Sequence, residues 1–115
     1  MKMWVDPPEI YLYRDAVDFR KSINGLVMIV EQELGLSPFA GALYVFCNRG
    51  RDKLKLVYWD KTGFALWYKR LEKDKFKWPV HHPDPTLSLS AEQWQWLLAG
   101  YDVVGHCPIS YASAG

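Results

Sequence analysis

Residues 42–71 read ALYVFCNRGRDKLKLVYWDKTGFALWYKRL, and this stretch decides the fold that the sequence predicts. Aromatic and β-branched residues dominate three runs, 42–47, 53–59 and 64–71, which are separated by short connections containing glycine and charged residues. Such runs favour β-strands, and short connections between them favour hairpins. The stretch therefore predicts an antiparallel meander of three strands.

The connection that ends at Gly63 sets the register of the second hairpin. A type I turn closed by a left-handed glycine bulge at Gly63 fits this connection. The resulting register places Lys55 opposite Lys69, with Trp59 and Trp67 on the same face as the two lysines. Like charges that face each other destabilise a sheet unless an anion lies between them, so this face is a candidate binding surface.

A first helix is predicted before the strands, because apolar residues recur at spacings of three and four between Phe19 and Leu34. Asp18 is placed to cap the N-terminus of this helix, and Gly35 is placed to end it in the left-handed conformation. We expect the helix to cover the apolar face of the meander. That face holds Tyr44, Phe46, Leu54, Leu56, Tyr58, Phe64, Leu66 and Tyr68.

Two further elements complete the predicted α+β fold. Residues 9–13 form a short strand. Residues 91–99 form a short C-terminal helix that begins with a capping box of Ser90 and Gln93 and is ended by Gly100. The fold is thus a small antiparallel sheet, a meander of three main strands plus edge strands, packed against one long helix with a short C-terminal helix. Residues 1–100 are expected to form a single domain, and residues 101–115 a loosely ordered tail.

Composition excludes several classes of protein. The chain has 115 residues, half of them hydrophobic, which suits one domain with its own core. It contains no apolar run long enough to span a bilayer, and its first residues lack the apolar stretch of a signal peptide. A cytoplasmic protein without a membrane partner is expected. Cys47 and Cys107 are too few for a disulfide scaffold.

Positive charge is concentrated in one part of the sequence. Residues 49–78 carry ten Lys and Arg against four Asp and Glu, a net charge of +6, and the rest of the chain carries −5. Cations interleaved with aromatic rings are typical of surfaces that bind a polyanion. The predicted DNA-binding residues are Arg49, Arg51, Lys53, Lys55, Trp59, Trp67, Lys69 and Arg70. In the alternative interpretation the tryptophans are buried and the lysines only solubilise the rim.

Catalytic and metal sites have weaker support in the sequence. A metal-dependent nuclease needs two or three carboxylates around its ions, and the candidates are Asp15, Asp18, Asp52, Asp60 and Glu72. Asp18 is explained as a helix cap, and Asp52 and Asp60 as turn residues, so we expect no catalytic residue. His81 and His82 are adjacent in an extended segment and project to opposite sides. No metal and no cofactor are therefore expected.

Two stretches carry a resemblance to a known family. They are RKSINGL at residues 20–26, and a long run from Pro38 to Pro79 that includes PFAGALYVFCNRGRDKLKL, WYKRLE and FKWP. Over residues 9–100 the chain resembles the small TnpB-type accessory proteins of the insertion sequence 66 family. The resemblance implies a protein encoded beside a large transposase and needed for transposition. The segment after Gly100 departs from the family pattern, since it lacks a basic and aromatic tail.

Two functions remain open at this point. The first is an accessory factor that binds DNA, with cations on phosphates and tryptophans stacked on exposed bases. The second is an adaptor that docks on the large transposase, with the tryptophans as the centre of the interface and the cations as its rim. The expected partners are accordingly DNA and the transposase of the same element.

Overall fold

A computed structural model describes residues 9–101 of the chain. Within this range the elements are β1 (Ile10–Tyr13), α1 (Ile23–Gln32), β2 (Leu43–Cys47), β3 (Lys53–Asp60), β4 (Gly63–Arg70), β5 (Thr86–Leu89) and α2 (Ala91–Ala99). The strands form one five-stranded sheet in the order β4-β3-β2-β1-β5. The predicted α+β class is confirmed. None of the described helices is long and apolar enough to cross a bilayer.

The sheet is mixed, so the prediction of an antiparallel sheet is wrong. β1 pairs in parallel with β2, with Ile10 beside Leu43, while the remaining strand pairs are antiparallel. The parallel pair arises because α1 connects β1 to β2 as a crossover and returns the chain to the same end of the sheet. β5 then pairs with the outer edge of β1, in a segment for which the sequence predicted no strand.

The first helix is shorter than predicted. α1 has ten residues and α2 has nine, so residues 9–101 do not contain the one long helix that the sequence predicted. α1 is capped by Ser22, whose side chain makes no capping hydrogen bond. Asp18 does not cap the helix, because its carboxylate pairs with Arg20 in the turn that precedes α1. The left-handed conformation expected of Gly35 is present, with φ of +67°.

The predicted register between β3 and β4 is wrong by one residue. Asp60 pairs with Gly63 across a two-residue turn, so Lys55 lies opposite Tyr68 and Leu54 lies opposite Lys69. Lys61, at φ of +52°, takes the positive φ in this turn, and Gly63 does not. A turn with positive φ at its first central position matches the twist of a hairpin without an extra residue. Gly63 is therefore a strand residue and not a bulge.

In the observed register both faces of the sheet contribute to a core, whereas the predicted register buried one face. One core lies under α1 and contains Tyr13, Val17, Leu26, Val30, Ala42, Tyr44, Phe46 and Val57. The other core lies under α2 and contains Ile10, Leu12, Leu43, Val45, Cys47, Leu54, Leu56, Phe76, Trp78, Leu87, Leu89, Trp94 and Leu97. All residues of β2 are buried because this strand lies between both cores. Leu54 and Leu56 thus lie on the face opposite to Leu66 and Tyr68, contrary to the prediction.

The second helix matches its prediction closely. Ser90 Oγ accepts a hydrogen bond from the backbone N–H of Gln93 at 3.0 Å, and Gln93 Oε1 accepts one from the backbone N–H of Ser90 at 2.9 Å. The capping box is therefore confirmed, and Gly100 ends α2 with φ of +96°. Residues 102–115 of the predicted tail lie outside the described residues.

Candidate nucleic-acid interface

A groove of about 980 Å³ lies on the α1 side of the sheet, where β3 and β4 extend beyond the helix. Its walls come from residues 16–20, from the turn between β2 and β3, and from the side chains of β3 and β4 that face α1. The charged side chains that line it are Asp18, Arg20, Arg49, Lys53 and Lys55. We call this feature the basic groove.

The turn between β2 and β3 is held by a side-chain network around Asn48. The Asn48 amide donates to Asp52 Oδ1 at 2.8 Å, and its oxygen accepts from the backbone N–H of Lys53 at 3.0 Å. The hydrogen bond from Asn48 is the largest of the causes that lower the pKa of Asp52. Arg51 takes a left-handed conformation with φ of +61°. Arg49 consequently lines the basic groove, whereas Arg51 lines a separate cleft beside α2.

Lys55 joins the sheet to the segment that precedes α1. Its Nζ atom donates to the carbonyl oxygen of Phe19 at 2.9 Å and to that of Lys21 at 3.3 Å. The same atom lies 4.8 Å from the centroid of the Phe19 ring, within the range of a cation–π interaction. Lys55 therefore holds one wall of the basic groove against the sheet.

Two acidic residues pair with cations of the groove, Asp18 within its lining and Asp52 outside it. Asp18 Oδ2 lies 2.6 Å from Arg20 Nη2, and the hydrogen bonds from the Arg20 side chain and backbone lower the pKa of Asp18 to about 2. Asp52 Oδ2 lies 3.6 Å from Lys53 Nζ, a longer contact. Arg20 is thus oriented by a carboxylate that stays ionised, while Arg49 has no carboxylate within 4.0 Å among the described residues.

Tyr68 places an aromatic ring in the basic groove, and the sequence did not predict it there. Its side chain is 47% exposed and its ring lies 6.5 Å from that of Phe19. Leu66, one position along the same face of β4, is 39% exposed. The wrong register assigned both residues to the core. When Gly63 is counted as a residue of β4 and not as a bulge, the alternation of the strand places Leu66 and Tyr68 on the same face as Lys55.

The two tryptophans predicted to bind DNA lie on opposite faces of the sheet. Trp67 is on the α2 side, where its ring packs edge-on against Trp94 with centroids 6.2 Å apart. Trp59 is on the α1 side, and its ring contacts those of Phe39 and Phe64 with centroids 5.0 Å apart in each case. Neither tryptophan lines the basic groove.

The remaining predicted cations also separate from the groove. Lys69 shares the α2 side with Trp67, and Arg70 Nε pairs with Glu72 at 2.9 Å. Of the eight predicted DNA-binding residues, the basic groove brings together Arg49, Lys53 and Lys55.

The sequence model that describes IS66 Orf2-like proteins, TnpB_IS66, matches residues 8–107 of the chain. The chain belongs to this family. Membership associates this IS66 Orf2-like protein with transposition as an accessory protein, in agreement with the resemblance found in its sequence. The chain is 41% identical over 93 residues to the uncharacterized protein y4jC of Sinorhizobium fredii, covering 81% of this chain and 79% of that protein. It is 31% identical over 93 residues to the uncharacterized protein y4hO of the same organism, covering 81% and 80% of the two chains. No solved structure gives a significant match.

Four candidate carboxylates of this IS66 Orf2-like protein pair with neighbouring cations. Asp15 pairs with Arg14 at 2.9 Å, and Asp18, Asp52 and Glu72 pair with Arg20, Lys53 and Arg70. Within residues 9–101, no three His, Cys, Asp or Glu side chains are grouped so that they could hold a metal ion. Burial raises the pKa of the Cys47 thiol to about 12, so this cysteine is protonated at neutral pH.

Proposed function

We propose that this IS66 Orf2-like protein is a non-catalytic accessory factor of transposition that binds DNA in its basic groove. One observation carries the proposal: four cationic side chains and an exposed ring line the same groove, against one carboxylate, that of Asp18. Lysine and arginine neutralise phosphates, and an exposed aromatic face supports a stacked base.

The groove residues divide into those that bind DNA and those that support the groove. Arg49 and Lys53 contact phosphates, because both side chains line the wall of the groove. Arg49 lies in the turn between β2 and β3, and Lys53 is the first residue of β3. Arg20 adds a third cation, held in place by its ion pair with Asp18. Lys55 acts mainly as a support, because its ammonium group is already bonded to two backbone carbonyls.

The preferred ligand is single-stranded DNA. A base stacks on the ring of Tyr68 only when it is not enclosed between neighbours in a duplex, and this stacking is tolerant of sequence. Contacts to phosphates likewise carry no sequence information. We therefore expect binding that depends strongly on salt, favours single strands over duplex, and shows little preference for sequence.

The predicted residues outside the groove have a different part in this proposal. Arg51, Lys69 and Arg70 add to the positive field that attracts DNA, without touching it in the groove. Trp59 and Trp67 support the fold through their ring contacts with Phe64 and Trp94.

The test is the salt dependence of DNA binding, measured by fluorescence anisotropy with labelled single strands and duplexes. Changing Arg49 and Lys53 together to glutamine is expected to reduce the slope of log affinity against log salt by about 0.7 for each phosphate of a single strand that is no longer neutralised. Changing Lys73 and Lys75 together to glutamine is the matched control, because both lysines are exposed and lie outside the basic groove. Equal slopes in the two double variants would contradict the proposal.

A second candidate function is an adaptor that docks on the large transposase without touching DNA. It is favoured by Phe39, which is 57% exposed although its ring contacts those of Trp59 and Phe64. An exposed ring on an aromatic cluster suits the centre of a protein interface. Titration of the purified transposase without DNA decides between the two functions. Binding that Phe39→Ala weakens and the Arg49/Lys53 variant preserves would support the adaptor.

A further inference from the structure

Within the described part of the chain the sheet has two open edges, and they differ in how well they are protected. β5 has only four residues and follows directly after Pro85. A short edge strand and a proline both protect a sheet edge from pairing with another strand. β4 has eight residues, contains no proline and pairs with β3 without a bulge. Leu66 and Tyr68, in the middle of this edge strand, are 39% and 47% exposed. A long exposed edge of this kind is a template for pairing with another strand.

The hydrogen bonds of the hairpin show which backbone groups face the open edge. The backbone N–H of Leu71 donates to the carbonyl of Asp52 at 2.8 Å, so these two residues form a hydrogen-bonded pair. Hydrogen-bonded and non-hydrogen-bonded pairs alternate along an antiparallel ladder. The N–H and C=O groups of Phe64, Leu66 and Tyr68 therefore point away from β3. Among the described residues no strand pairs with this edge.

We propose that the edge of β4 pairs antiparallel with β4 of a second copy of this chain, about a two-fold axis at Leu66. In this register Leu66 faces Leu66 of the second copy, and Phe64 faces Tyr68 of the second copy. Each of these three positions has outward backbone groups, and their side chains share the α1 side of the sheet. Apolar side chains thus meet apolar side chains on both sides of the axis.

Charge complementarity selects a second copy as the occupant. Lys69 comes to lie opposite Gly63 of the second copy, and Asp60 of that copy is the cross-strand neighbour of its Gly63. Two strand spacings amount to about 9.6 Å, and no side chain at Gly63 stands between the ammonium group and the carboxylate. No two like charges face each other in this register, since the cations of β4 are at one end only.

The joined sheet has five strands from each copy. A two-fold axis perpendicular to the sheet keeps both α1 sides on one surface, so the two basic grooves open in the same direction. The pairing itself does not depend on DNA binding, and its test uses the protein alone.

Cysteine cross-linking of the full-length chain tests the register, in a Cys107→Ser background that retains the buried Cys47. Leu66→Cys places two thiols opposite each other at a Cα separation of about 5.5 Å, which a disulfide can bridge. We expect mild oxidation to give a covalent dimer. Met28→Cys is the control, because Met28 is 51% exposed and belongs to α1, not to β4. Equal cross-linking of both variants would overturn the proposal.

Sedimentation velocity over a range of concentrations, without DNA, tests the assembly. We expect a dimer for the wild type and a monomer for Leu66→Asp, which puts two carboxylates on the axis. Should Leu66→Asp fail to fold by circular dichroism, Leu66→Pro serves instead, because it removes an N–H that does not bond to β3. A wild type that stays monomeric at its highest soluble concentration, or a folded variant that dimerises like the wild type, would overturn the proposal.

Discussion

Lys55 and Phe19 are joined twice, by a hydrogen bond of 2.9 Å from the lysine Nζ to the phenylalanine carbonyl oxygen and by a separation of 4.8 Å between Nζ and the ring centroid. The two residues are 36 positions apart in the sequence. A lysine that pattern and charge assign to phosphate binding thus ties the segment before α1 to the third strand. The same relationship gives the basic groove one of its walls.

Lys55→Gln is expected to lower the free energy of unfolding by about 1 to 2 kcal/mol, because two backbone carbonyls are left without their charged donor. Urea unfolding followed by tryptophan fluorescence measures this change. Lys69→Gln is the control with the same change of charge, and it is expected to stay within about 0.5 kcal/mol of the wild type. An equal effect of both substitutions would mean that the Lys55 bonds do not stabilise the fold.

Trp67→Ala is expected to destabilise the protein by about 3 kcal/mol, because the ring packs against Trp94 and the core beneath α2. Trp59→Ala is expected to cost less, about 1 to 2 kcal/mol, since its neighbour Phe39 is itself mostly exposed. Denaturant unfolding followed by circular dichroism gives both values. The reverse order would indicate that Trp59 belongs to the core and Trp67 to the surface.

Gly63→Val is expected to be tolerated and to change stability by less than about 1 kcal/mol, because the position is a strand residue with no other atom within 4 Å of an added Cβ. Lys61→Val is expected to cost about 1 to 2 kcal/mol, because Lys61 has φ of +52° and a β-branched residue tolerates positive φ poorly. Thermal unfolding of both variants compares the two positions. A larger destabilisation by Gly63→Val than by Lys61→Val would indicate that Gly63 forms a bulge.

Asp18 is expected to titrate with a pKa near 2 in the folded protein, because Arg20 stabilises its ionised form. The folded pKa lies below the unfolded value, so the pair contributes stability above about pH 4, and this contribution is lost as the pH falls towards 2. NMR titration of the side-chain carboxyl measures the pKa. Arg20→Gln is expected to return it towards 3.8, the ordinary value. An unchanged pKa of Asp18 in this variant would show that the ion pair with Arg20 does not lower it.

Supercoiled DNA incubated with the protein and magnesium or manganese is expected to stay intact on an agarose gel. The physical reason is that two-metal cleavage needs carboxylates grouped around the ions, and residues 9–101 contain no group of His, Cys, Asp or Glu side chains that could hold a metal ion. The matched pair is wild type against Asp52→Asn. Nicking by the wild type that Asp52→Asn abolishes would assign a nuclease activity to this site.

Features that depend on neighbours in the chain could be predicted from the sequence alone. The capping box of Ser90 and Gln93, the left-handed Gly35 and Gly100 and the strand-forming runs depend on contacts within a few residues, and the structure contains them all. Membership of the IS66 Orf2-like family was also evident from contiguous motifs. Local signals of this kind survive because short-range hydrogen bonds and backbone preferences do not require the rest of the fold.

Features that depend on distant contacts were decided only by the tertiary structure. The positive φ lies at Lys61 and not at the predicted Gly63, and the register between β3 and β4 differs from the predicted one by one residue. This difference exchanges the faces of β4, so that Tyr68 lines the basic groove and the Trp67 ring packs against Trp94. The parallel pairing of β1 with β2 and the bond from Lys55 to Phe19 likewise join residues far apart in the sequence. Strand alternation predicts which side chains share a face of the sheet, but it does not predict which face is buried. The packing of α1 and α2 on the sheet determines which side chains are buried.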